Sequence, residues 1–418
     1  MSAITPKDFN VDLAAPNVES GLFSTRFRLA FLSLAVFSQF GGAFLIIPIL
    51  PIYLRARGIS PSGIGFEVAV FFLATLIAQY PAGKISDSFG RMPTFIFGLI
   101  SFALGALLLI LNPPYVILIL ARALQGLGAG SFIVTSNSFV SDITTKEKRA
   151  KAFGVIFGVQ NGSICIGAFF GGLFGIKHTS EILWSTVGLS IFAIIATMLA
   201  TYGVKNKVRS KSENVRQSIP FSFLDLIKSP LIKGAMAYSV GLGFISGMYE
   251  TTWTPLLIGR GAATWQVGLS WLAFGLPFLI LSWPAGHLVE RGNKKILACS
   301  QVIFGGAIAA LYPALPSVKI ILIFGAIEAI AVVPGGPAMQ TLVTANQDPR
   351  SQGRIQGIIL SAQMATQAVA AICSGFLWGY QTWLPFVVAG TITFLMGPVA
   401  FIFWSQAGAK DLTNLASH

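Results

Sequence analysis

Long hydrophobic runs separated by short polar segments dominate this chain from residue 29 to residue 405. Twelve runs are long enough to cross the roughly 30 Å hydrocarbon core of a bilayer, which takes about 20 helical residues. They cover residues 29–54, 62–83, 93–112, 115–140, 150–174, 181–203, 232–258, 265–286, 295–313, 317–342, 353–377 and 381–405. The pattern predicts an all-α integral membrane protein with twelve transmembrane helices.

The polar segments divide the chain into two predicted six-helix bundles, residues 29–203 and 232–405, with tails at residues 1–28 and 406–418. A charged segment at residues 204–231 links the bundles. Within it, Ser222 and Asp225 have the spacing of a helix capping box and precede an amphipathic FLDLIK stretch. This predicts a short helix on the membrane surface, with an unstructured linker as the alternative.

The two bundles repeat each other at a constant offset. The segment PAGKISDSFGRMP, whose third residue is Gly83, recurs as PAGHLVERGNKKI, whose third residue is Gly286. The same offset of 203 residues (286 − 83) separates three further pairs, Gly58 and Gly261, Gly65 and Gly268, and Gly154 and Gly357. Two six-helix pseudo-repeats of this kind are typical of secondary transporters, whose substrate sites lie between the repeats near the membrane midplane.

Composition and charge support a place in the membrane. Hydrophobic residues make up 54% of the chain and charged residues 10%, whereas a soluble domain is about a quarter charged. With the N-terminus inside, 22 of the 28 Lys and Arg residues fall in inside segments and five in outside segments. This bias predicts a multi-pass protein of the cell membrane with both termini in the cytoplasm. It also explains the net charge of +13 without a nucleic-acid partner.

Two motifs carry a resemblance to a known transporter family. GKISDSFGRMP, between the second and third spans, looks like the cytoplasmic loop motif of the major facilitator superfamily. ARALQGLGAG in the fourth span resembles the R-x-x-Q-G motif of that family through Arg122, Gln125 and Gly126. The resemblance covers the whole chain in length, spacing and repeat structure, and it implies alternating access between the two bundles.

The loop motif implies a gate on the cytoplasmic side. In the arrangement of the family, Asp87 faces the N-terminus of the eleventh span near Gly353, where unpaired backbone N–H groups favour an anion. Arg91 pairs there with Asp142 at the inner end of the fourth span. These contacts break when the protein opens inward. The alternative is that the three charged residues act only in topology and folding.

Glycines and a second carboxylate extend the predicted gate. Gly83 allows close helix approach and Gly90 a tight turn. In the second copy Gly286 repeats Gly83, and Glu290 takes the place of Asp87 against the start of the fifth span. The second copy has Asn and Lys where the first has Gly90 and Arg91, so it departs from the motif.

The fifth span contains the segment GVIFGVQNGSICIGAFFGG, which resembles the glycine-rich motif of drug and proton antiporters. It has Ser163 where that motif has glycine and Ala168 where it has proline. Small residues at this spacing also pack membrane helices without any functional role, which is the alternative interpretation. The matching positions are Gly154, Gly167, Gly171 and Gly172.

Four ionisable residues lie inside predicted spans, namely Glu67, Arg122, Glu250 and Glu328. A charge in the bilayer is costly unless it faces a cavity or has a partner, so each is a candidate for proton coupling or substrate binding. Glu328 lies about 16 Å into the tenth span, near the midplane, at about 1.5 Å per residue. A carboxyl at that depth can exchange a proton for a cationic or a neutral substrate.

Other functions remain open for three of these residues. Glu67 and Glu250 lie in the outer parts of their spans, where each is alternatively an exposed residue or the partner of Arg57 or Arg260 in an outer salt bridge. Arg122 alternatively hydrogen-bonds to carbonyl groups of the first span.

Two further polar side chains belong to the candidate cavity. Gln125 is the repeat mate of Glu328 (328 − 125 = 203), which puts the two helices on opposite sides of the cavity. Gln39 is a polar residue of the first span. Few polar groups among aromatic residues such as Tyr249 and Trp253 favour an amphipathic organic substrate over a sugar.

These patterns predict a monomeric, proton-coupled transporter in the lipid bilayer that exports a small amphipathic organic molecule. An uptake symporter or a uniporter for a metabolite is the alternative within transport, and a membrane sensor or enzyme on a transporter-like scaffold is the alternative outside it. The three cysteines lack metal-ligand spacing and no nucleotide motif is present, so we expect no metal and no cofactor.

Overall fold

The computed structural model describes residues 24–204, 228–344 and 349–407. These residues form helices and turns and contain no strand, so the all-α prediction is confirmed. The fourteen α-helices are α1 Thr25–Ile46, α2 Leu50–Ala56, α3 Pro61–Phe89, α4 Arg91–Ile110, α5 Tyr115–Ile143, α6 Lys146–Phe174, α7 Thr179–Thr201, α8 Pro230–Gly259, α9 Thr264–Arg291, α10 Lys294–Leu311, α11 Val318–Val332, α12 Gly335–Thr344, α13 Pro349–Tyr380 and α14 Leu384–Gln406.

These helices make twelve spans because the first and tenth are interrupted. Pro48 separates α1 from α2 and Pro334 separates α11 from α12, since proline has no N–H to donate to the helix. Eleven of the spans have both the length and the hydropathy of membrane-crossing helices. The remaining helix, α9, is 28 residues long, which also suffices to cross the bilayer.

Several helices extend beyond the hydrophobic run that predicts them. The first begins at Thr25, four residues before the predicted start at residue 29, because the side chain of Ser24 accepts a hydrogen bond from the backbone of Phe27 at 3.4 Å. The predicted linker helix at Ser222 and Asp225 and most of both tails lie outside the described residues. The domain limits stay predictions.

Each half of the molecule has its own core. In the N-terminal half, α1 to α7, Phe95 packs against Phe132 and Phe139 with ring centroids 5.5 and 6.0 Å apart. In the C-terminal half, α8 to α14, the fully buried Trp404 donates its indole N–H to the carbonyl of Leu231 at 3.1 Å.

The halves meet at the side of the membrane opposite Ser24 and Ala407, the first and last described residues, and we call this side the far side. The other side is the terminal side. There α3 touches α13 and α6 touches α9. Gly65 lies against Gly375 and Gly172 against Gly268, so closely that a Cβ on any of them would strike the opposite backbone. The two contacts are related by the repeat (375 − 172 = 268 − 65 = 203).

On the terminal side the same helices separate. A Cβ added to Gly154, Gly286 or Gly357 would meet no described atom within 4 Å, and one on Gly83 would meet only Val134 of its own half, at 3.6 Å. Among the described residues the halves are therefore closed on the far side and open on the terminal side.

Candidate functional site

The carboxyl group of Glu328 on α11 is the centre of the first candidate site. Its side chain is 2% exposed. The hydroxyl of Tyr249 on α8 lies 2.9 and 3.0 Å from its two oxygens, and the hydroxyl of Tyr312, in the turn after α10, lies 2.5 Å from Oε2. Glu328 is therefore not an isolated carboxyl, and two phenolic donors from different elements fix its position.

An aromatic cavity opens beside this carboxyl. The ring of Trp253 lies edge-on to Tyr312 at 4.8 Å and to Tyr249 at 5.4 Å. The indole N–H of Trp253 donates to Ser270 at 2.9 Å. The further lining residues are Trp271, Phe274, Ile321, Leu322 and Gly325. The cavity suits an apolar, partly aromatic molecule with one polar or cationic group.

The sequence indicated Tyr249 and Trp253 but not Tyr312, Trp271 or Phe274. Tyr312 lies near the end of the ninth hydrophobic run, 295–313, and nothing in the hydrophobic pattern distinguishes it from the rest of that run. Trp271 and Phe274 have the spacing of ordinary helix packing (274 − 271 = 3). Their common cavity arises only when α8, α9 and α11 pack around Glu328.

A second group of buried polar side chains lies between α3 and α5. Arg122 Nε is 3.1 Å from Glu67 Oε1, and both side chains are buried. Arg122 Nη1 donates to Gln125 Oε1 at 2.8 Å, and the guanidinium lies over the ring of Phe71 at 4.6 Å. Gln39, also buried, makes no hydrogen bond through its amide to a described residue.

Glu250 on α8, in the other half of the molecule, is half-buried. Arg122 is the charged side chain that interacts with it electrostatically. Arg122 therefore has Glu67 and Gln125 as its partners. The alternative prediction, in which it hydrogen-bonds to carbonyl groups of the first span, is not what the structure describes.

The two outer arginines have other partners. Arg57 donates to the carbonyls of Asn112 and Pro113, at 3.1 and 2.5 Å. Arg260 donates to the carbonyls of Pro313 and Leu315. Both arginines therefore hydrogen-bond to turns of their own half. Glu67, for which Arg57 was a predicted partner, pairs with Arg122.

The predicted gate residues of the first half meet around Arg91. Arg91 Nε is 2.7 Å from Asp142 Oδ2, while Nη1 is 2.6 Å from Asp87 Oδ1 and 3.0 Å from Ser86 Oγ. Gly90 ends α3 with φ of +100°, a conformation that L side chains rarely adopt. The turn there brings Arg91 between the two aspartates.

Among the described residues, Glu290 and Gly286 show no contact with the other half. Glu290 is exposed and lies 3.5 Å from His287 of its own helix. Gly286 has open space beside it. The side chains at the start of α13, near Gly353, are not described, so the contact of Asp87 with that helix end stays a prediction.

The glycines of the antiporter-like motif contact two different partners. Gly167 and Gly171 lie against the backbone of Gly41 and Leu45 on α1, within the same half, whereas Gly172 touches Gly268 of the other half. Gly154, at the terminal side, has open space. Gly167 and Gly171 therefore pack α6 against α1, whereas Gly172 belongs to the contact between the halves.

The family profile of the Major Facilitator Superfamily matches residues 32–273 and 261–416. The quinolone resistance protein NorA of Staphylococcus aureus is 27% identical over 176 residues, which are 42% of this chain and 45% of NorA. The chain therefore matches about half the length of this relative. The class H tetracycline resistance protein of Pasteurella multocida is 24% identical over 370 residues, 81% of this chain and 86% of that protein.

Solved structures share the fold. A bacterial homologue of the human lysosomal transporter Spinster, in an inward-facing and unoccupied conformation, superposes with a TM-score of 0.69 at 16% identity. The superposition covers 93% of this chain and 98% of that one. The family match extends over nearly all twelve spans and both repeats, and the fold agrees with it. This chain is a multi-pass membrane protein that belongs to the Major Facilitator Superfamily.

Proposed function

We propose that this protein is a secondary active transporter that exports a small amphipathic organic molecule in exchange for protons. The observation that carries the proposal is the carboxyl of Glu328, which lies in the membrane within an aromatic cavity and is held by two tyrosine hydroxyls. A buried carboxyl beside an apolar cavity can release a proton when a substrate arrives and take one up when it leaves. The family and the names of the two drug-resistance relatives support the same function.

The orientation belongs to the proposal. With both termini in the cytoplasm of a cell-membrane protein, the terminal side is cytoplasmic, and the structure is open toward the cytoplasm. Alternating access then requires that the far-side contacts at Gly65 and Gly268 separate while the terminal side closes. The Arg91 cluster serves as a gate element on the cytoplasmic side, and we expect the protein to work as a monomer.

The test uses Glu328→Gln in proteoliposomes with an imposed pH gradient. Glutamine imitates a permanently protonated carboxyl, so we expect loss of gradient-driven accumulation and survival of substrate-for-substrate exchange, which needs only the binding site and the conformational change. The first labelled probes are a quinolone and a tetracycline. Glu181→Gln is the matched control, because Glu181 is exposed and lies 3.5 Å from His178.

The outcomes separate the alternative functions. Movement of probe in the same direction as protons indicates an uptake symporter, and equilibration without an effect of the gradient indicates a uniporter. Absence of any exchange with every ligand that stabilises the purified protein favours a sensor or enzyme. Full gradient-driven accumulation by Glu328→Gln contradicts the coupling role of this residue.

A further inference from the structure

We propose that Arg260, an exposed residue on the far side, is a positioning residue for the carboxyl of Glu328. Arg260 ties the end of α8 to the turn after α10, so that the hydroxyls of Tyr249 and Tyr312 reach the carboxyl together. The inference rests on the proposed function for its consequence in transport, whereas the positioning itself follows from the contacts of Arg260.

Arg260 binds the turn that carries Tyr312. Its Nη2 donates to the carbonyl of Pro313, the residue directly after Tyr312, and its Nη1 donates to the carbonyl of Leu315. The backbone N–H of Leu315 in turn donates to the carbonyl of Tyr312 at 3.2 Å. A guanidinium is a planar fork, so two simultaneous hydrogen bonds fix both the place and the orientation of the turn.

The other end of this connection is α8, which carries the second hydroxyl. Arg260 follows directly after α8, and its backbone N–H donates to the carbonyls of Leu256 and Leu257 at 3.2 and 3.1 Å. Trp253 lies seven residues and Tyr249 eleven residues before Arg260 (260 − 253 = 7, 260 − 249 = 11). With 3.6 residues per helical turn, these spacings place the three side chains on one face of the helix.

This face of α8 contacts the elements that hold Glu328 at three levels. Tyr249 donates to the carboxyl of Glu328 at 2.9 Å. The ring of Trp253 lies edge-on to the ring of Tyr312, with the centroids 4.8 Å apart. Arg260 is the outermost of the three contacts. Because the backbone N–H of Tyr312 is bound to α10, the hydrogen bonds of Arg260 set the position of the end of α10 relative to α8.

The first half of the molecule contains the same connection without the carboxyl. Arg57 is the repeat mate of Arg260 (260 − 57 = 203) and donates to the carbonyls of Asn112 and Pro113 at 3.1 and 2.5 Å. An arginine at this place thus has a structural role common to both halves, and Arg57 is the matched control for a further role of Arg260. The positions that correspond to Tyr312, Tyr249 and Glu328 carry neither a phenol nor a carboxyl: Leu109, Ile46 and Gln125.

The experiment observes the carboxyl carbon of Glu328 by NMR in the purified full-length protein, with carbon-13 in the glutamate side chains. Glu328 is one of eight glutamates in the chain, and its signal is the one absent from Glu328→Gln. The chemical shift of a carboxyl carbon responds to its protonation and its hydrogen bonds, so the measurement needs no substrate. Tyr312→Phe, which removes one donor, gives the direction of the shift.

We expect Arg260→Met, which keeps a long side chain but has no donor, to move the Glu328 signal in the same direction as Tyr312→Phe does. In a protein that already carries Tyr312→Phe, adding Arg260→Met should cause little further shift. Arg260→Lys, which keeps the charge without the fork, should cause a smaller shift in that direction. Arg57→Met should leave the signal in place.

An unmoved Glu328 signal in Arg260→Met, or an equal shift in Arg57→Met, overturns the positioning role. Arg260→Lys decides in the same way if Arg260→Met does not fold. Transport is measured separately, in proteoliposomes with a pH gradient and a quinolone or a tetracycline as the probe, where Arg260→Met should lower gradient-driven accumulation more than substrate exchange. A shifted signal with unchanged accumulation would leave the positioning role intact and contradict the coupling role of Glu328 in the proposed function.

Discussion

At the scale of single residues, the two tyrosines around Glu328 suit a carboxyl that changes its charge. Tyr249 and Tyr312 each present a hydroxyl that can donate to the carboxylate or accept from the protonated acid. Hydrogen bonds to the charged form are the stronger ones. The site can therefore hold either form of Glu328 without a counter-ion, and the hydroxyl groups only need to rotate.

Removal of the Tyr312 hydroxyl tests this arrangement. Tyr312→Phe leaves Glu328 with one donor, and we expect a loss of stability of about 1–3 kcal/mol, because a buried hydrogen bond to a charged group is lost. In a Glu328→Gln background the loss should be smaller. Thermal unfolding of the four proteins in one detergent measures the difference, with Tyr380→Phe, at an exposed position, as the control. Equal losses in both backgrounds would contradict the pairing.

At the scale of helices, the repeat explains where the two halves touch. The far-side contacts join α3 to α13 at Gly65 and α9 to α6 at Gly268. Small residues allow backbones to approach closely in a membrane. The same four helices carry four glycines on the terminal side, where the halves are apart: Gly83 on α3, Gly357 on α13, Gly286 on α9 and Gly154 on α6.

We therefore expect Gly83 to approach Gly357, and Gly286 to approach Gly154, when the terminal side closes. A valine at position 83 or 286 should overpack this contact and cost about 1–3 kcal/mol, which lowers the closed population about five- to 150-fold. Substrate exchange in proteoliposomes should slow accordingly, while binding to the open form persists.

The matched control for these substitutions is Gly188→Val. Gly188 lies on α7, and a Cβ there also meets no described atom within 4 Å. It does not belong to any of the four helices that form the contacts. Equal rates for Gly83→Val and Gly188→Val would show that the terminal-side glycines do not meet.

At the scale of the whole molecule, local patterns in the sequence predict the architecture well. Length and hydropathy of each run suffice to predict a span, and the constant offset of 203 residues reveals the two halves. The Arg91 cluster was also accessible, because its two aspartates lie at predicted helix ends. These features depend on residues close together in the sequence or on the internal repeat, and both can be recognised in one sequence.

Partner choice inside the membrane could not be predicted in the same way. Glu67 had Arg57 as a plausible partner by position, yet Arg57 binds carbonyls of a turn and Glu67 binds Arg122. Tyr312 lies inside the ninth hydrophobic run, yet the hydrophobic pattern does not indicate that it contacts Glu328. Such contacts depend on how helices rotate about their axes, and the hydrophobic pattern of a helix exposed to lipid constrains that rotation weakly.

The last prediction concerns the orientation on which all inside and outside assignments depend. Lys and Arg residues near membrane helices tend to remain in the cytoplasm, and their excess on the terminal side predicts that this side is inside. Cysteines at Ser62 and Thr264, on the far side, should react in intact cells with an impermeant thiol reagent, whereas one at Ser212 in the linker should react only after lysis. Cys373 is replaced first because it is exposed. Reaction at position 212 in sealed cells would reverse the orientation, and the open side of this structure would then face outward.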